Sequence, residues 1–163
     1  MTEKNRIFLD ESGVEQNLFT RFARSKRGIR AIGEILSKRK ERISVIAGYS
    51  GKQLLSPFYF KGHTNSKIFN VWLENEPLPE IGTGKVLILD NAAFHKTSKT
   101  KELVEKSGCQ LLYLPPYSPD FNPIEQQWAI LKHRIRTIQP DPGLDFILTL
   151  ENQLARMSNC KLE

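Results

Sequence analysis

The feature that most constrains the fold is an unbroken apolar run, Val86-Leu87-Ile88-Leu89, which ends directly in Asp90. A strand with one face in water alternates apolar and polar residues, whereas a strand that is apolar on both faces is covered from both sides. Such strands lie inside sheets whose two faces carry helices. The run therefore predicts a central strand of an α/β domain, with helices packed on both faces of the sheet.

The rest of the chain predicts a mixed sheet. Ile7-Phe8-Leu9 indicates a first strand that ends in Asp10, and two β-rich runs over 43–49 and 54–60 flank a hairpin signal, Ser50-Gly51-Lys52. Further along, the patterns predict helices over 64–74, 99–107 and 124–135, a strand over 110–114, a loop over 77–84, and a last helix that begins at Asp141-Pro142. This order predicts an antiparallel meander followed by parallel strands.

Length, cysteine use and hydropathy bound the class of protein. A chain of 163 residues has the usual length of one domain, so we take 1–163 as a single domain. Cys109 and Cys160 have neither CxxC spacing nor zinc-type partners, which indicates reduced thiols. The polar N-terminus is unlike a signal peptide, and no apolar run approaches the roughly 18 residues of a membrane helix. We therefore expect a cytoplasmic protein.

The net charge of +6 is concentrated in one window of the chain, from Arg21 to Arg42. Nine basic and two acidic residues give this window a charge of +7, so the rest of the chain sums to −1. A concentrated basic patch suits a polyanion, with nucleic acid as the first candidate. A solvated charged loop or helix face explains the charge equally well.

Two predicted strands deliver an aspartate at their carboxyl ends, Asp10 and Asp90. Ligands gather just outside the carboxyl ends of parallel strands, so these side chains and Glu125 of a following helix are candidates for one site. An all-oxygen set of three carboxylates suits Mg²⁺ or Mn²⁺, and paired ions support in-line displacement at phosphorus.

Each of the three carboxylates also has a structural interpretation. Asn122 has the character of an N-cap and Pro123 that of a first helical residue, so Glu125 falls where a capping box places its acidic member. Asp10 and Asp90 are also common residue types where strands end in turns. Only the combination of the three favours a metal site.

The helix that carries Glu125 has a second stripe beside its apolar one. Glu125, Lys132 and Arg136 share this stripe, because they are spaced by seven and four residues. We expect Lys132 and Arg136 to contact DNA phosphates near the metal site. The alternative is that cations near a helix C-terminus stabilise the helix dipole.

The sequence resembles the mariner superfamily of transposases, and most closely its bacterial insertion-sequence branch. The three blocks that carry the resemblance are Phe8-Leu9-Asp10-Glu11-Ser12, Leu89-Asp90-Asn91-Ala92-Ala93-Phe94-His95 and Leu114-Pro115-Pro116-Tyr117-Ser118-Pro119-Asp120-Phe121-Asn122-Pro123-Ile124-Glu125. The 34 residues between Asp90 and Glu125 fit this branch, and Glu in place of a third Asp argues against the mariner branch proper. The similarity runs from about Arg6 to Arg136.

The resemblance implies a ribonuclease H-like fold, with Asp10, Asp90 and Glu125 as ligands of two Mg²⁺ ions that Mn²⁺ can replace. It implies cleavage at the ends of a mobile element, followed by attack of the freed 3′-hydroxyl on target DNA, in the cytoplasm and nucleoid of a bacterium. It also favours DNA contacts by the first basic residues, Arg21, Arg24, Lys26, Arg27 and Arg30. Three more side chains are candidates to surround the ions without binding them: Asn91, His95 and Asn122. Asn91 would either hold the loop or lie near a metal. His95 would touch a phosphate, order the metal loop, or serve only as a hydrogen-bonded structural residue.

The chain departs from the superfamily at its N-terminus, because Asp10 lies nine residues after Met1. That leaves no room for the usual helix-turn-helix region, so we expect either a separately encoded or frameshifted part to supply it, or a truncated remnant. By analogy, a homodimer would hold two element ends. The alternatives to a transposase are a ribonuclease H-like nuclease without strand transfer and an inactive DNA-binding remnant.

Overall fold

The computed structural model describes residues 5–15, 26–29, 42–51, 53–116, 118–138 and 145–158. Its strands are β1 (Arg6–Glu15), β2 (Arg42–Ser50), β3 (Gln53–Lys61), β4 (Val86–Leu89) and β5 (Gln110–Tyr113). Its helices are α1 (Ser66–Asn75), α2 (Pro77–Ile81), α3 (Ser98–Lys106), α4 (Ile124–Ile138) and α5 (Phe146–Met157). Two single-turn 3₁₀ helices span Ala93–His95 and Pro119–Phe121.

The strands form one mixed sheet in the order β3-β2-β1-β4-β5. β1, β2 and β3 pair antiparallel, with Gly51 at a positive φ of 58° in the hairpin turn, while β4 runs parallel to both β1 and β5. The predicted meander followed by parallel strands is therefore confirmed. The apolar run 86–89 also takes the predicted place between two parallel neighbours, and all four of its residues are buried.

Each face of the sheet carries its own hydrophobic core, which confirms the prediction of helices on both faces. α1, α2 and α3 cover one face, where Phe69, Leu73 and Val104 pack against Leu9 and Leu87. α4 and α5 cover the other face, where the buried residues include Val14, Val45, Trp128, Leu131 and Leu150. Successive side chains of β1 alternate between the two cores, so Asp10 points to the α4 side and Glu11 to the α1 side.

The structure differs from the predicted end of β1, the predicted loop over 77–84 and the predicted start of α5. β1 does not end at Asp10 but continues to Glu15, because β2 pairs with it from Phe8 to Glu15 after β4 has ended. The segment 77–84, predicted as a loop, contains the short helix α2, which begins with a proline at a position where its missing N–H costs nothing. α5 begins at Phe146, where the Asp145 side chain accepts from the N–H of Ile147, and the predicted start at 141–142 lies outside the described residues.

Two expectations about class can be compared with the described part of the chain. None of its helices has both the length and the apolar character that a membrane crossing requires. Cys109 is a buried free thiol, and its Sγ lies 3.2 Å from the carbonyl oxygen of Gly82. Cys160 lies outside the described residues.

Candidate active site

The register of two parallel strands brings Asp10 and Asp90 to neighbouring positions. The last paired residues of β1 and β4 are Leu9 and Leu89, and the next residue on each strand is the aspartate. β4 stops there, whereas β1 runs on beside β2. Asp10 therefore lies in mid-strand and is buried, while Asp90 lies at the open end of β4 and is half-buried.

Glu125 reaches the same place from helix α4. The apolar stripe of α4 is buried against the sheet and consists of Ile124, Trp128, Leu131 and Ile135. The Glu125 side chain lies beside this stripe and is exposed. An open cavity of about 390 Å³ lies between the end of β4 and the start of α4. Its lining comprises Asp10, Asp90, Asn91, Ala92, Leu114, Pro115, Pro116, Ser118, Asn122 and Glu125.

Asp10 is held by the indole of Trp128, whose Nε1–H donates to Asp10 Oδ2 over 3.0 Å. Burial raises the pKa of Asp10 to about 7, and the neighbouring carboxylates of Glu11 and Glu125 add to this effect, while the Trp128 hydrogen bond opposes it. In the metal-free protein the negative charge of Asp10 is thus unfavourable, and a cation in the cavity would relieve that cost.

Asp90 is held by two donors that both reach its Oδ1. The Nδ1 of His95 lies 2.6 Å away and the N–H of Ala92 lies 3.0 Å away. The hydrogen bond from His95 lowers the pKa of Asp90 below its ordinary value, against the effect of burial. Asp90 is therefore kept ionised at neutral pH.

His95 is fully buried behind the cavity, with the rings of Phe69 and Phe94 centred 4.5 and 4.2 Å from its own. Its Nε2 lies 3.3 Å from Glu11 Oε2, within ion-pair distance but without hydrogen-bond geometry. Burial acts to lower the pKa of His95, but the contacts with Asp90 and Glu11 outweigh it and raise the pKa to about 9. His95 has no exposed surface, and its contacts fit both a residue that orders the Asp90 loop and a hydrogen-bonded structural residue. Its role at the site stays a prediction.

The capping-box interpretation of Glu125 does not hold. The N–H of Glu125 bonds to the backbone oxygen of Asn122 at 3.1 Å, and the Asn122 side chain does not take that role. Asn122 is buried, and its Oδ1 has no hydrogen-bond partner. A polar atom in this state, in a side chain that lines the cavity, indicates that a ligand or water belongs there.

A family comparison shows which superfamily the chain belongs to. The sequence profile of the DDE superfamily endonucleases matches residues 5–141, which is most of the chain. The chain belongs to the DDE superfamily of endonucleases. An uncharacterized protein, y4pE/y4sA, of Sinorhizobium fredii (strain NBRC 101917 / NGR234) is 41% identical over 51 residues, which are 31% of this chain and 36% of that protein.

Solved structures share the fold of this DDE endonuclease. The Mos1 transposase paired-end complex with left transposon end matches with a TM-score of 0.70 at 14% identity, over 97% of this chain and 55% of that chain. The structure of the Mos1 transposase catalytic domain and raltegravir with Mg matches with a TM-score of 0.62 at 13% identity, over 98% of this chain and 73% of that chain. The chain thus spans about half of the first of these relatives. The predicted ribonuclease H-like fold is confirmed.

The carboxylates of this DDE endonuclease share the cavity but do not yet converge on one point. Within the described ranges, no three His, Cys, Asp or Glu side chains stand close enough together to hold a metal ion as they are placed. Asp10 and Asp90 are fixed by ring N–H donors, whereas Glu125 is exposed on the first turn of α4. Of the three carboxylates, Glu125 is therefore the exposed one.

The predicted DNA contacts that the structure describes do not line the cavity. Lys132 is half-buried and Arg136 is exposed, further along α4 from Glu125. Lys26 and Arg27 lie in an exposed turn over 26–29, and Arg21, Arg24 and Arg30 lie outside the described residues. All of these DNA contacts stay predictions.

Sequence patterns assign no role to two side chains at the site, Glu11 and Trp128. Glu11 belongs to the first motif block, and strand alternation alone places it on the opposite face from Asp10. Trp128 belongs to the apolar stripe, yet it lies one helical turn after Glu125 and so lies near the same end of the site. No sequence signal pairs Glu11 with His95, because that contact depends on the turn between β4 and α3.

Proposed function

We propose that the chain is the catalytic domain of a DNA transposase, which cuts and rejoins phosphodiester bonds with Asp10, Asp90 and Glu125 as ligands of two Mg²⁺ ions. The observation that carries the proposal is the single cavity lined by all three carboxylates, two from adjacent parallel strands and one from α4. Mn²⁺ would substitute for Mg²⁺, since both prefer oxygen ligands.

The donor set fits such ions. All three groups are carboxylates, and the burial and crowding that raise the pKa of Asp10 are the conditions that a divalent cation relieves. Once bound, the ions would activate the attacking oxygen and stabilise the leaving oxygen in an in-line displacement at phosphorus. The match to a Mos1 catalytic domain solved with Mg supports this choice of metal.

The chain's own residues would hold the reacting groups in place. Trp128 fixes the buried Asp10 carboxylate, and the unpartnered Oδ1 of Asn122 is available to accept from a water or hydroxyl in the cavity. DNA is the proposed substrate, supported by the Mos1 complex with a transposon end. Its phosphates would meet cations of α4 and of the basic window: Lys132, Arg136, Arg21, Arg24, Lys26, Arg27 and Arg30.

Two features of the assembly belong to the same proposal. A helix-turn-helix part would recognise the terminal repeats. A homodimer would bring two element ends together, since both ends of an element have to be cut and joined in concert.

The direct test measures cutting and joining in one reaction that needs no recognition of element ends. A labelled oligonucleotide with a free 3′-hydroxyl is incubated with a supercoiled plasmid and Mn²⁺. We expect both nicked plasmid and label joined to plasmid, because the attacking group in strand transfer is a 3′-hydroxyl. Asp10→Asn, Asp90→Asn and Glu125→Gln should each abolish both products.

The outcomes separate the candidate functions. Nicking that depends on the three carboxylates without transfer of label would favour a nuclease that does not rejoin ends. DNA binding without either product would favour an inactive remnant. Asp120→Asn, an exposed acidic residue in the loop before α4, serves as the matched control and should retain wild-type activity.

A further inference from the structure

A chain of three side chains runs from β1 to the second aspartate of the site. Glu11 follows Asp10 on β1 but points to the opposite face of the sheet, and its Oε2 lies 3.3 Å from His95 Nε2. The other ring nitrogen of His95, Nδ1, lies 2.6 Å from Asp90 Oδ1. His95 therefore spans the distance between the two carboxylates.

The central member of this chain cannot move freely. His95 has no exposed surface, and the rings of Phe69 and Phe94 pack against its imidazole. The hydroxyl of Tyr113, on β5, donates to the backbone oxygen of His95 over 3.0 Å. The two phenylalanine rings thus fix the orientation of the imidazole, and Tyr113 of β5 holds the backbone of His95.

Asp90 needs such support, because it lies just beyond the end of β4. Its side chain is 42% exposed, and no strand pairing follows Leu89 on the β1 side. Within the described part of the chain, the hydrogen bonds to its carboxylate, from His95 and from Ala92, both reach Oδ1. Among the described residues no hydrogen bond therefore reaches the second oxygen, Oδ2, and Asp90 lines the cavity.

We propose that Glu11 and His95 are positioning residues that orient the Asp90 carboxylate towards the metal site. Two adjacent residues of β1 then position both aspartates. Asp10 itself lies on one face of the sheet, and Glu11, on the other face, orients Asp90 through His95. Side chains that hydrogen-bond a metal ligand typically contribute about 10- to 100-fold to metal affinity. This inference rests on the proposed function.

The test compares Mn²⁺ dissociation constants, measured by isothermal titration calorimetry, for variants that stay folded. Glu11→Gln should weaken Mn²⁺ binding by up to about 10-fold, the low end of the range, because Glu11 acts on Asp90 only through His95. Glu11→Asp keeps the negative charge but withdraws the carboxylate from His95, so positioning predicts the same weakening, whereas a simple charge effect predicts wild-type affinity. His95→Asn, which keeps an N–H donor near the place of Nδ1, should lose less affinity than His95→Ala.

Controls and outcomes keep the inference separate from the proposed function. Glu15→Gln removes a charge at the exposed end of β1 and should bind Mn²⁺ like the wild type. Wild-type affinity in folded Glu11→Asp would overturn the positioning role, even if Glu11→Gln were weakened. If His95 variants fail to fold, the Glu11 pair still decides, since the Glu11 side chain is 23% exposed. Absence of Mn²⁺ binding by the wild type would instead overturn the proposed metal site.

Discussion

At the scale of single residues, the two aspartates of the site are held in the same way, but their pKa values are shifted in opposite directions. A ring N–H fixes one oxygen of each: Trp128 holds Asp10 and His95 holds Asp90. Burial and two neighbouring carboxylates raise the pKa of Asp10, whereas the hydrogen bond from His95 lowers the pKa of Asp90. In the metal-free protein Asp10 therefore keeps its proton to a higher pH than Asp90 does.

This difference predicts how metal-free stability depends on pH. The pKa of Asp10 is about 7 in the folded protein against 3.8 for an ordinary aspartate carboxyl group, so between these values the folded state keeps a proton that the unfolded chain has released. The free energy of unfolding should therefore fall as pH rises through this range, by at most about 1.4 kcal/mol per pH unit. Urea unfolding in EDTA from about pH 4.5 to about pH 6.5 measures the slope, and Asp10→Asn should reduce it.

The choice of pH range and of controls isolates Asp10. His95 also has a raised pKa, so its contribution is fully present below 6.5 and disappears only as pH rises towards about 9. Trp128→Phe removes a hydrogen bond that lowers the pKa of Asp10, so at about pH 6.5 the stability of this variant should fall more steeply with pH than that of the wild type. Trp72→Phe removes an indole hydrogen bond to the Ser56 carbonyl in the core on the other face of the sheet from Trp128, and should keep the wild-type slope. A slope that Asp10→Asn leaves unchanged would contradict this account.

At the scale of secondary-structure elements, α4 connects the hydrophobic core with the site. Its apolar stripe is buried against the sheet, and Glu125, Lys132 and Arg136 share the flank beside that stripe. This division is predictable from sequence, because helical periodicity fixes which residues lie on one side of a helix. The periodicity does not predict what Lys132 and Arg136 contact, and a binding measurement has to show this.

Charge reversal on this flank tests the proposed DNA contacts. The double variant Lys132→Glu/Arg136→Glu should weaken binding to a DNA duplex and reduce the dependence of binding on salt, by about 0.9 in the logarithmic slope for each phosphate that is no longer neutralised. Its unfolding temperature should stay close to that of the wild type, since both side chains lie outside the core. Fluorescence anisotropy over a range of salt concentrations measures the effect.

A matched variant separates a local effect from a change in net charge. Lys99→Glu/Lys101→Glu makes the same change in charge with two exposed lysines on α3, which packs on the opposite face of the sheet. The α3 variant should bind DNA more tightly than the α4 variant. Equal weakening in both would reduce the effect to net charge and end the assignment of Lys132 and Arg136.

At the scale of the whole molecule, the site forms beyond the end of β4, where the sheet meets the helix α4. The sheet separates two cores, and the cavity opens beyond β4, between the β4–α3 connection and α4. Sequence patterns predict the mixed sheet, the helices on both faces and the three carboxylates, because hydrophobic periodicity and motif spacing are local properties. They miss the extension of β1 beyond Asp10, because this depends on pairing with the distant β2. They miss the Glu11–His95 contact for the same reason, since it joins residues 84 positions apart.

The central claim is that Asp10, Asp90 and Glu125 form one divalent-metal site, and thermal unfolding in Mn²⁺ tests it most directly. A ligand that binds only the folded state at about 100 times its dissociation constant stabilises a protein by about 2.7 kcal/mol. We expect Mn²⁺ to raise the unfolding temperature of the wild type and of Asp120→Asn, and to leave that of Asp90→Asn unchanged. An equal response in wild type and Asp90→Asn, or no response in either, would contradict the account.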